Sequence, residues 1–299
     1  MRIGDTMDRV TAINPGELRS LLGAHGLRPS RALGQHFLAD PNTARRIVTL
    51  AGVGAGDHVL EIGPGVGSLT VALAGAGARV TALELDRHLI PVLDDALGRA
   101  GVASAVRVVQ GDALTEDLEA LVGEARHVMV SNLPYNVAVP IVMRVLGDVP
   151  AIERLLVMVQ REVGDRLAAG PGTKDYGSVS VRVGYYAKAR RVGLVPPTVF
   201  LPPPKVESAL VELVRHPRPP VDVPSVDALF ALVRAGFSQR RKMLRRVLRT
   251  ELGDRTDATL VAAGIDPAAR AETLDLAAWA ALARVAAEPG TVREPRAEG

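Results

Sequence analysis

Apolar runs and amphipathic stretches alternate along the first two thirds of the chain. Seven apolar runs predict buried strands, and helical stretches are predicted between the first four of them. An alternation of strand and helix is typical of a parallel sheet with right-handed crossovers. The strands are predicted at 58–62, 79–83, 106–109, 128–130, 155–159, 179–185 and 209–214, and the helices at 68–74, 89–100 and 118–123.

The last two predicted strands, 179–185 and 209–214, have no helix of crossover length between them. They are therefore expected to pair as an antiparallel hairpin at a sheet edge. The fold class predicted is α/β, with a mostly parallel seven-stranded sheet.

The last third of the chain is predicted to form a separate, all-helical domain. Four prolines within 217–224 indicate a linker, and only helical patterns follow, at 226–237, 240–250, 257–263 and 276–287. The predicted organisation is a disordered tail at 1–13, an α/β domain at 14–216, a small helical domain at 217–287 and a second disordered tail at 288–299.

Composition limits the class of protein. With 47% hydrophobic residues over 299 positions, the chain can bury a sizeable core. It has no cysteine, which excludes disulfides and thiolate metal sites. It shows neither the apolar region of a signal peptide nor about 18 consecutive uncharged apolar residues, so a cytoplasmic protein without a membrane span is expected.

The net charge is only +3, but basic residues are concentrated in one block. Within 238–249 there are six basic residues and no acidic one: Arg240, Arg241, Lys242, Arg245, Arg246 and Arg249. Such a block can bind the phosphates of a nucleic acid. A solvated helix face would have the same composition, and the charge run alone does not separate the two interpretations.

A glycine-rich turn follows the first predicted strand. Gly63, Gly65 and Gly67 lie between a strand and a helix, where glycine lets the backbone turn sharply and approach a ligand closely. The dinucleotide fingerprint requires the spacing Gly-x-Gly-x-x-Gly, whereas this turn has Gly-x-Gly-x-Gly followed by Ser68. A nucleoside cofactor without a phosphate is therefore favoured, and a tight turn without a ligand is the alternative.

Acidic residues end the next two predicted strands. Glu84 is placed where an acid can bind ribose hydroxyls, and Asp112 where a carboxylate can accept a hydrogen bond from an adenine amino group. Asp112 alone could equally be a helix N-cap. Together with the glycine turn, the two acids mark three strand ends at one sheet edge, which predicts a crevice for S-adenosyl-L-methionine.

The tetrapeptide of Asn132, Leu133, Pro134 and Tyr135 follows the fourth predicted strand. The Asn132 side-chain oxygen and the carbonyl of Leu133 or Pro134 could accept the two N–H groups of an adenine amine. That would direct the nitrogen lone pair at the methyl group of the cofactor, and Tyr135 would offer a face for the base. Because the sulfonium is already activated, methyl transfer to adenine is predicted to need no metal.

Two aromatic residues outside these motifs are further candidates for the base pocket. Phe200 lies in a proline-rich segment, 196–204, that could close the pocket from the other side, and Phe37 lies in the loop before the sheet. For both residues, packing in the core is the alternative interpretation.

Taken together, these motifs resemble those of the KsgA/RsmA small-subunit rRNA adenine dimethyltransferases. The resemblance covers about 28–282. The motifs that carry it are at 34–38, 61–65, 84–86, 111–113, 132–135, 160–163, 203–208 and 237–242.

The resemblance implies a Rossmann-like class I methyltransferase that dimethylates two adjacent adenosines. The family's target is a hairpin loop near the 3′ end of 16S rRNA in the immature small ribosomal subunit, and the protein is expected to act as a monomer. The implied base pocket is Asn132, Tyr135 and Phe200. The implied cofactor contacts are His36, Leu38, Gly63, Glu84, Asp112 and Asn132, to which the glycine turn adds Gly65.

One position departs from the family pattern. The family usually has Asn where this chain has His36. An imidazole can still donate a hydrogen bond to the cofactor carboxylate, and the contact could then depend on pH because imidazole titrates near neutrality. A neutral replacement without any effect is the alternative.

Three other functions fit part of the sequence. An Erm-like large-subunit rRNA methyltransferase shares the fold and the catalytic turn, but motifs 203–208 and 237–242 favour the small-subunit enzyme. A non-catalytic factor, as among the mitochondrial transcription factor B relatives, is disfavoured by the intact glycine turn, Glu84, Asp112 and Asn132. A nicotinamide dehydrogenase is disfavoured by the Asn-Leu-Pro-Tyr turn.

Overall fold

The computed structural model of the chain describes residues 13–29 and 35–288. The two predicted disordered tails lie outside these residues, apart from Ile13 and Glu288, and so does Gly34 of the first family motif. Ile13 is buried at the start of the described chain.

A seven-stranded sheet forms the centre of the first part of the chain. Its strand order is β4-β3-β2-β5-β6-β9-β7; the first five strands run parallel, and β9 pairs antiparallel with both β6 and β7. This arrangement confirms the predicted α/β fold class. The strands are β2 (His58–Ile62), β3 (Arg79–Glu84), β4 (Val106–Gln110), β5 (His127–Asn132), β6 (Ile152–Gln160), β7 (Ala187–Val195) and β9 (Ser208–Arg215), while β1 (Phe37–Leu38) and β8 (Phe200–Leu201) form a separate antiparallel pair.

Some helices connect strands of the sheet as crossovers, and others precede the sheet along the chain. Local signals define their ends: α2 begins after Asp40, whose carboxylate accepts a hydrogen bond from Thr43 N at 2.8 Å, and it stops at Gly52 in the left-handed conformation. Side chains of α1–α4 pack with one face of the sheet in a common apolar core. The helices are α1 (Pro15–Ala24), α2 (Pro41–Ala51), α3 (Ser68–Gly75), α4 (Ile90–Ala100), α5 (Leu118–Val122), α6 (Ala138–Asp148) and α7 (Arg161–Leu167).

The strand predicted at 179–185 is wrong, because this segment is the helix α8 (Ser178–Tyr186). The alternation of valines at 179, 181 and 183 with polar residues imitates a strand facing a core. As a helix, the segment buries Val181 and Tyr185, four residues apart on one face, so tertiary packing outweighs the β-propensity of valine. The seventh strand of the sheet is instead β7. It pairs antiparallel with β9, in the way that was predicted for 179–185 with 209–214.

The chain divides into two compact units. The first contains the described residues up to Ala168 together with Tyr186–Arg215, and the second contains Ala169–Tyr185 with the described residues from His216 onward. All nine strands and α1–α7 belong to the first unit. The segment 169–185, which was assigned to the α/β domain from the sequence, belongs to the second, helical unit. The predicted domain boundaries stay predictions.

The second unit is helical around a buried tryptophan. Trp279 is fully buried, and Gly236 lies against its ring so closely that a Cβ at position 236 would overlap the indole. The predicted helix at 240–250 is instead a turn at 238–243 followed by two short helices. The elements are α9 (Val226–Phe237), α10 (Leu244–Val247), α11 (Arg249–Leu252), α12 (Thr256–Ala262) and α13 (Leu276–Ala287). Among the described residues, no helix is both long and apolar enough to cross a bilayer.

Candidate active site

A cavity of about 480 Å³ opens at the carboxyl ends of β2, β3 and β5. It is lined by the turn after β2, by the residues that end β3, by the turn after β5, and by 35–38 from the segment around β1. The predicted site residues that line it are His36, Leu38, Gly63, Gly65, Glu84, Asn132, Leu133, Pro134 and Tyr135, together with the further candidate Phe37. The carboxyl ends of neighbouring parallel strands meet at one sheet edge, which is why residues so distant in sequence share this cavity.

The glycine turn has a backbone conformation that other residues rarely adopt. Gly65 and Gly67 have φ values of 59° and 90°. A Cβ at Gly65 would lie 3.0 Å from Phe37 Cδ1, and one at Gly67 would lie 2.7 Å from Leu93 Cδ1. The two glycines therefore satisfy both a left-handed backbone and a close approach of neighbouring side chains.

Glu84 fixes the shape of this turn. Its side chain is buried, and its two carboxylate oxygens accept hydrogen bonds from Gly65 N and Asp86 N, both at 2.9 Å. Burial raises the pKa of Glu84, and the two backbone hydrogen bonds oppose that rise. Each oxygen keeps a second lone pair for a ligand in the cavity. The sequence predicted the ligand contact but not the support that Glu84 gives to the glycine turn.

Glu61 is a site residue that was not predicted from the sequence. It lines the cavity with 1% of its surface exposed, and its Oε2 has no hydrogen-bond partner among the described residues. Burial, with a smaller contribution from the Glu84 charge, raises the pKa of Glu61 to about 8, while neighbouring Thr70 acts in the opposite direction. Its signals in the sequence are its place at the start of family motif 61–65 and its position two residues before the glycine turn. A cationic ligand beside this carboxyl would favour its charged form and so oppose the effect of burial on its pKa.

Replacing Glu61 with Gln is expected to flatten the pH dependence of stability. The folded-state pKa of about 8 lies above the ordinary 4.5, so the fold favours the protonated carboxyl. The Glu61 contribution is then complete below about pH 4.5 and is lost as the pH rises towards about 8, by at most about 1.4 kcal/mol per pH unit. Urea denaturation of both proteins between pH 5 and 9 measures the difference, and parallel profiles would contradict the prediction.

The turn after β5 presents its polar groups to the cavity. Asn132 Nδ2 donates to the His36 carbonyl at 3.3 Å, and Oδ1 accepts no hydrogen bond from the described residues. Leu133 N donates to Met158 O at 3.1 Å, which holds the turn against β6. The Pro134 carbonyl already accepts from Val137 N, so of the two predicted backbone acceptors Leu133 is favoured.

Tyr135 stands at the cavity with its ring oriented by two neighbours. Its hydroxyl lies 2.7 Å from Ser208 Oγ, and its ring lies 5.7 Å from the His36 ring at an interplanar angle of 27°. His36 in turn donates from Nδ1 to Pro202 O at 2.8 Å. One face of Tyr135 is therefore covered by an imidazole, and a base would stack on the other face or displace His36.

Two predicted site residues do not line the cavity. Asp112 Oδ1 accepts a hydrogen bond from Leu114 N at 2.8 Å, the local contact of a capping residue, although Gly111 N donates to Glu84 O and holds this loop beside β3. Phe200 is buried in the apolar core, where it pairs with Leu38 across β1 and β8. Ligand contacts for these two residues stay predictions.

Leu85 is a second residue that was missed. It follows Glu84 at the cavity edge with 65% of its surface exposed. A large apolar side chain that lines a cavity and faces solvent is suited to cover a flat ring.

The predicted basic surface is partly neutralised by acids in its own unit. Arg240 Nε lies 2.7 Å from Glu272 Oε2, and Arg245 Nε lies 3.9 Å from Asp257 Oδ1. Arg249 Nη2 also lies 3.3 Å from Asp254 Oδ1. The remaining cations of the block, Arg241, Lys242 and Arg246, are exposed and have no side-chain partner within the part of the chain that the structure describes. These three are called the free cations below.

The sequence of the chain is similar to that of one family of known proteins. A model of the ribosomal RNA adenine dimethylase family matches residues 27–288. A protein of Nocardia farcinica named ribosomal RNA small subunit methyltransferase A is 46% identical over 91% of this chain and 94% of its own length. The protein of the same name from Cutibacterium acnes is 44% identical over 96% of this chain and 99% of its own length.

Two solved structures have the same fold. A dimethyladenosine transferase from Plasmodium falciparum superposes with a TM-score of 0.66 at 24% identity, over 83% of this chain and 96% of that one. The 23S rRNA methyltransferase ErmE superposes with a TM-score of 0.62 at 27% identity, over 84% of this chain and all of that one. The Rossmann-like methyltransferase fold expected from the motifs is thereby confirmed.

Proposed function

Because the chain belongs to the ribosomal RNA adenine dimethylase family, we propose that its cavity transfers methyl groups from S-adenosyl-L-methionine to adenosine N6 in 16S rRNA. Family membership confirms the resemblance to the KsgA/RsmA enzymes and the enzyme class, an rRNA adenine dimethyltransferase. The proposed targets are two adjacent adenosines in a hairpin loop near the 3′ end of the immature subunit's RNA. A monomer acting in the cytoplasm is part of the same proposal.

The choice of cofactor rests on the charged residues that line the cavity. Its lining contains three acidic residues, Glu61, Glu84 and Asp86, and among the described lining residues there is no Lys or Arg. A pyrophosphate-bearing cofactor would face acidic residues and no Lys or Arg among the described lining residues, whereas S-adenosyl-L-methionine brings an ammonium and a sulfonium cation. The cofactor supplies a methyl group on an electrophilic carbon, and the carboxylates and the glycine turn would hold its polar end and ribose.

The turn after β5 would position the base. Asn132 Oδ1 and the Leu133 carbonyl would accept the two N–H groups of an adenine amine, while Asn132 Nδ2 donates to the His36 carbonyl. An amine held in this way keeps its lone pair out of the ring system and directed at the methyl carbon. The contribution of these residues is orientation and electrostatic stabilisation, without a strong base.

The small subunit is favoured over the large subunit as the source of the substrate. The relatives that share 42–46% identity with this chain are named small-subunit methyltransferases, whereas ErmE shares 27%. The Erm-like alternative is therefore less well supported. A non-catalytic factor is disfavoured by the intact cavity with Glu84 and Asn132.

The function can be tested by mass mapping of 16S rRNA from cells that lack the gene. Loss of dimethylation at two adjacent adenosines, restored by the wild-type gene and not by Asn132→Ala, is the expected result. A methylation-dependent primer-extension stop in 23S rRNA, in place of one in 16S rRNA, would favour the Erm-like enzyme. If calorimetry detected no binding of S-adenosyl-L-methionine, the non-catalytic factor would be favoured.

Neutralising the free cations is expected to weaken RNA binding and its salt dependence. For Arg241→Gln, Lys242→Gln and Arg246→Gln combined, the slope of log K against log salt should fall by about 0.7–0.9 for each lost phosphate contact. Fluorescence anisotropy with a labelled 16S hairpin at several salt concentrations measures this slope. A matched control replaces the exposed Arg79, Arg107 and Arg218, which removes the same charge; an equal fall in both triple variants would count against a specific surface.

A further inference from the structure

The proposed reaction does not use two of the sequence motifs, 160–163 and 203–208. These motifs meet next to the Tyr135 hydroxyl. Ser208 begins β9 and is fully buried between its partners Gln160 of β6 and Val195 of β7. Its Oγ lies 2.7 Å from the Tyr135 hydroxyl. The hydroxyl of a residue at the cavity is thus bonded to the interior of the sheet.

The position of Ser208 is itself held by the neighbouring residues of both motifs. Arg161 N donates to the Glu207 carbonyl at 2.9 Å, and Arg161 Nη1 donates to Glu207 Oε2 at 2.8 Å. A backbone bond and an ion pair between the same two residues fix the start of β9 relative to α7. Ser208 consequently offers Tyr135 a rigid anchor, although the two residues are 73 positions apart in sequence.

We propose that Ser208 is a positioning residue of the methyl transfer, which holds the Tyr135 ring in position through its hydroxyl so that the target adenine can stack. This inference rests on the proposed function and deepens it. Stacking depends on the orientation of the ring plane, and a tyrosine ring attached only at Cβ can turn about two bonds. The hydroxyl oxygen lies on the axis of rotation about Cβ–Cγ, so its hydrogen bond to Ser208 restrains rotation about Cα–Cβ and thereby the position of the ring, while the stacked His36 ring restrains its plane.

The surroundings of Tyr135 agree with this role. The ring lines the cavity, and His36 covers one face, so a base that leaves His36 in place would stack on the opposite face. Burial raises the pKa of Tyr135, which keeps its phenol neutral and able to exchange a hydrogen bond with Ser208. The cavity therefore contains an aromatic ring whose position is fixed by Ser208, a residue outside the lining.

A double-mutant cycle tests the proposal. Ser208→Ala and Tyr135→Phe should each lower kcat on a 16S hairpin about three- to tenfold, the range that one hydrogen bond supplies, with an unchanged KM for S-adenosyl-L-methionine. The double variant should be no slower than either single variant, because both changes remove the same bond. Multiplicative losses, or a Ser208→Ala enzyme as fast as wild type, would overturn the positioning role.

A second measurement does not depend on turnover. With 2-aminopurine at the target position of the hairpin, the wild type should quench its fluorescence on binding, and Ser208→Ala and Tyr135→Phe should weaken the quenching equally. An effect of Tyr135→Phe without one of Ser208→Ala would overturn the proposal. A wild type that quenches the probe but transfers no methyl group would instead count against the proposed reaction, so the two failures are distinguishable.

Discussion

Asn132→Ala lowers kcat for methyl transfer by about 100-fold or more, while the Kd for S-adenosyl-L-methionine changes by only a few fold. The expected loss in kcat is that for removing one preorganised hydrogen-bonding group from a reacting centre. In the structure Asn132 lines the cavity, and its Oδ1 accepts no hydrogen bond from the described residues, so it is available as the acceptor that the adenine amine requires. Single-turnover kinetics on a 16S hairpin and calorimetry with the cofactor measure the two quantities.

Asn132→Asp separates the two functions of this side chain. The carboxylate keeps an oxygen acceptor for the amine but loses the Nδ2 group that donates to the His36 carbonyl. Its kcat should therefore fall less than that of Asn132→Ala. An Asn132→Ala enzyme with wild-type kcat would remove the acceptor role, and a large loss of cofactor affinity would show that Asn132 acts mainly by holding the segment of His36.

The sequence predicts the sheet well where a strand is bounded by clear breaks. The runs 58–62 and 79–83 correspond to β2 and β3 because an apolar run followed by a glycine or an acid has few alternatives in a parallel sheet. The run 179–185 has no such boundary, and valine alternation cannot distinguish a strand from a helix with a narrow apolar face. The outcome there depends on packing within the helical unit, which a local pattern does not contain.

The site was predictable only as far as sheet topology determines it. Glu84 and Asn132 end strands that share an edge, so their proximity follows from the order of parallel strands. The unpaired carboxyl of Glu61 depends on burial, and the bond between Tyr135 and Ser208 depends on the antiparallel pairing of β9 with β6. Likewise, the pairing of Arg240 with Glu272, 32 residues away, could not be derived from the charge run.

Glu84→Ala is expected to weaken cofactor binding by about 10- to 100-fold, as for loss of a hydrogen bond to a charged group. The carboxylate accepts from Gly65 N and Asp86 N, so its removal leaves two N–H groups without partners at the turn that would hold the cofactor. Each such group costs about 1–3 kcal/mol when buried, so the free energy of unfolding should fall as well. Calorimetry and urea denaturation measure the two effects.

Glu84→Gln and Glu61→Gln are the matched controls for this prediction. Glu84→Gln keeps one oxygen acceptor, so it should lose less stability than Glu84→Ala yet still bind the cofactor less well, because the negative charge is gone. Glu61→Gln changes a carboxyl whose Oε2 supports no backbone group among the described residues, and it should leave the glycine turn intact. If Glu84→Ala bound the cofactor as tightly as wild type, the carboxyl edge of β3 would no longer be part of the cofactor site. The crevice would then consist only of the turns after β2 and β5 with the segment around β1.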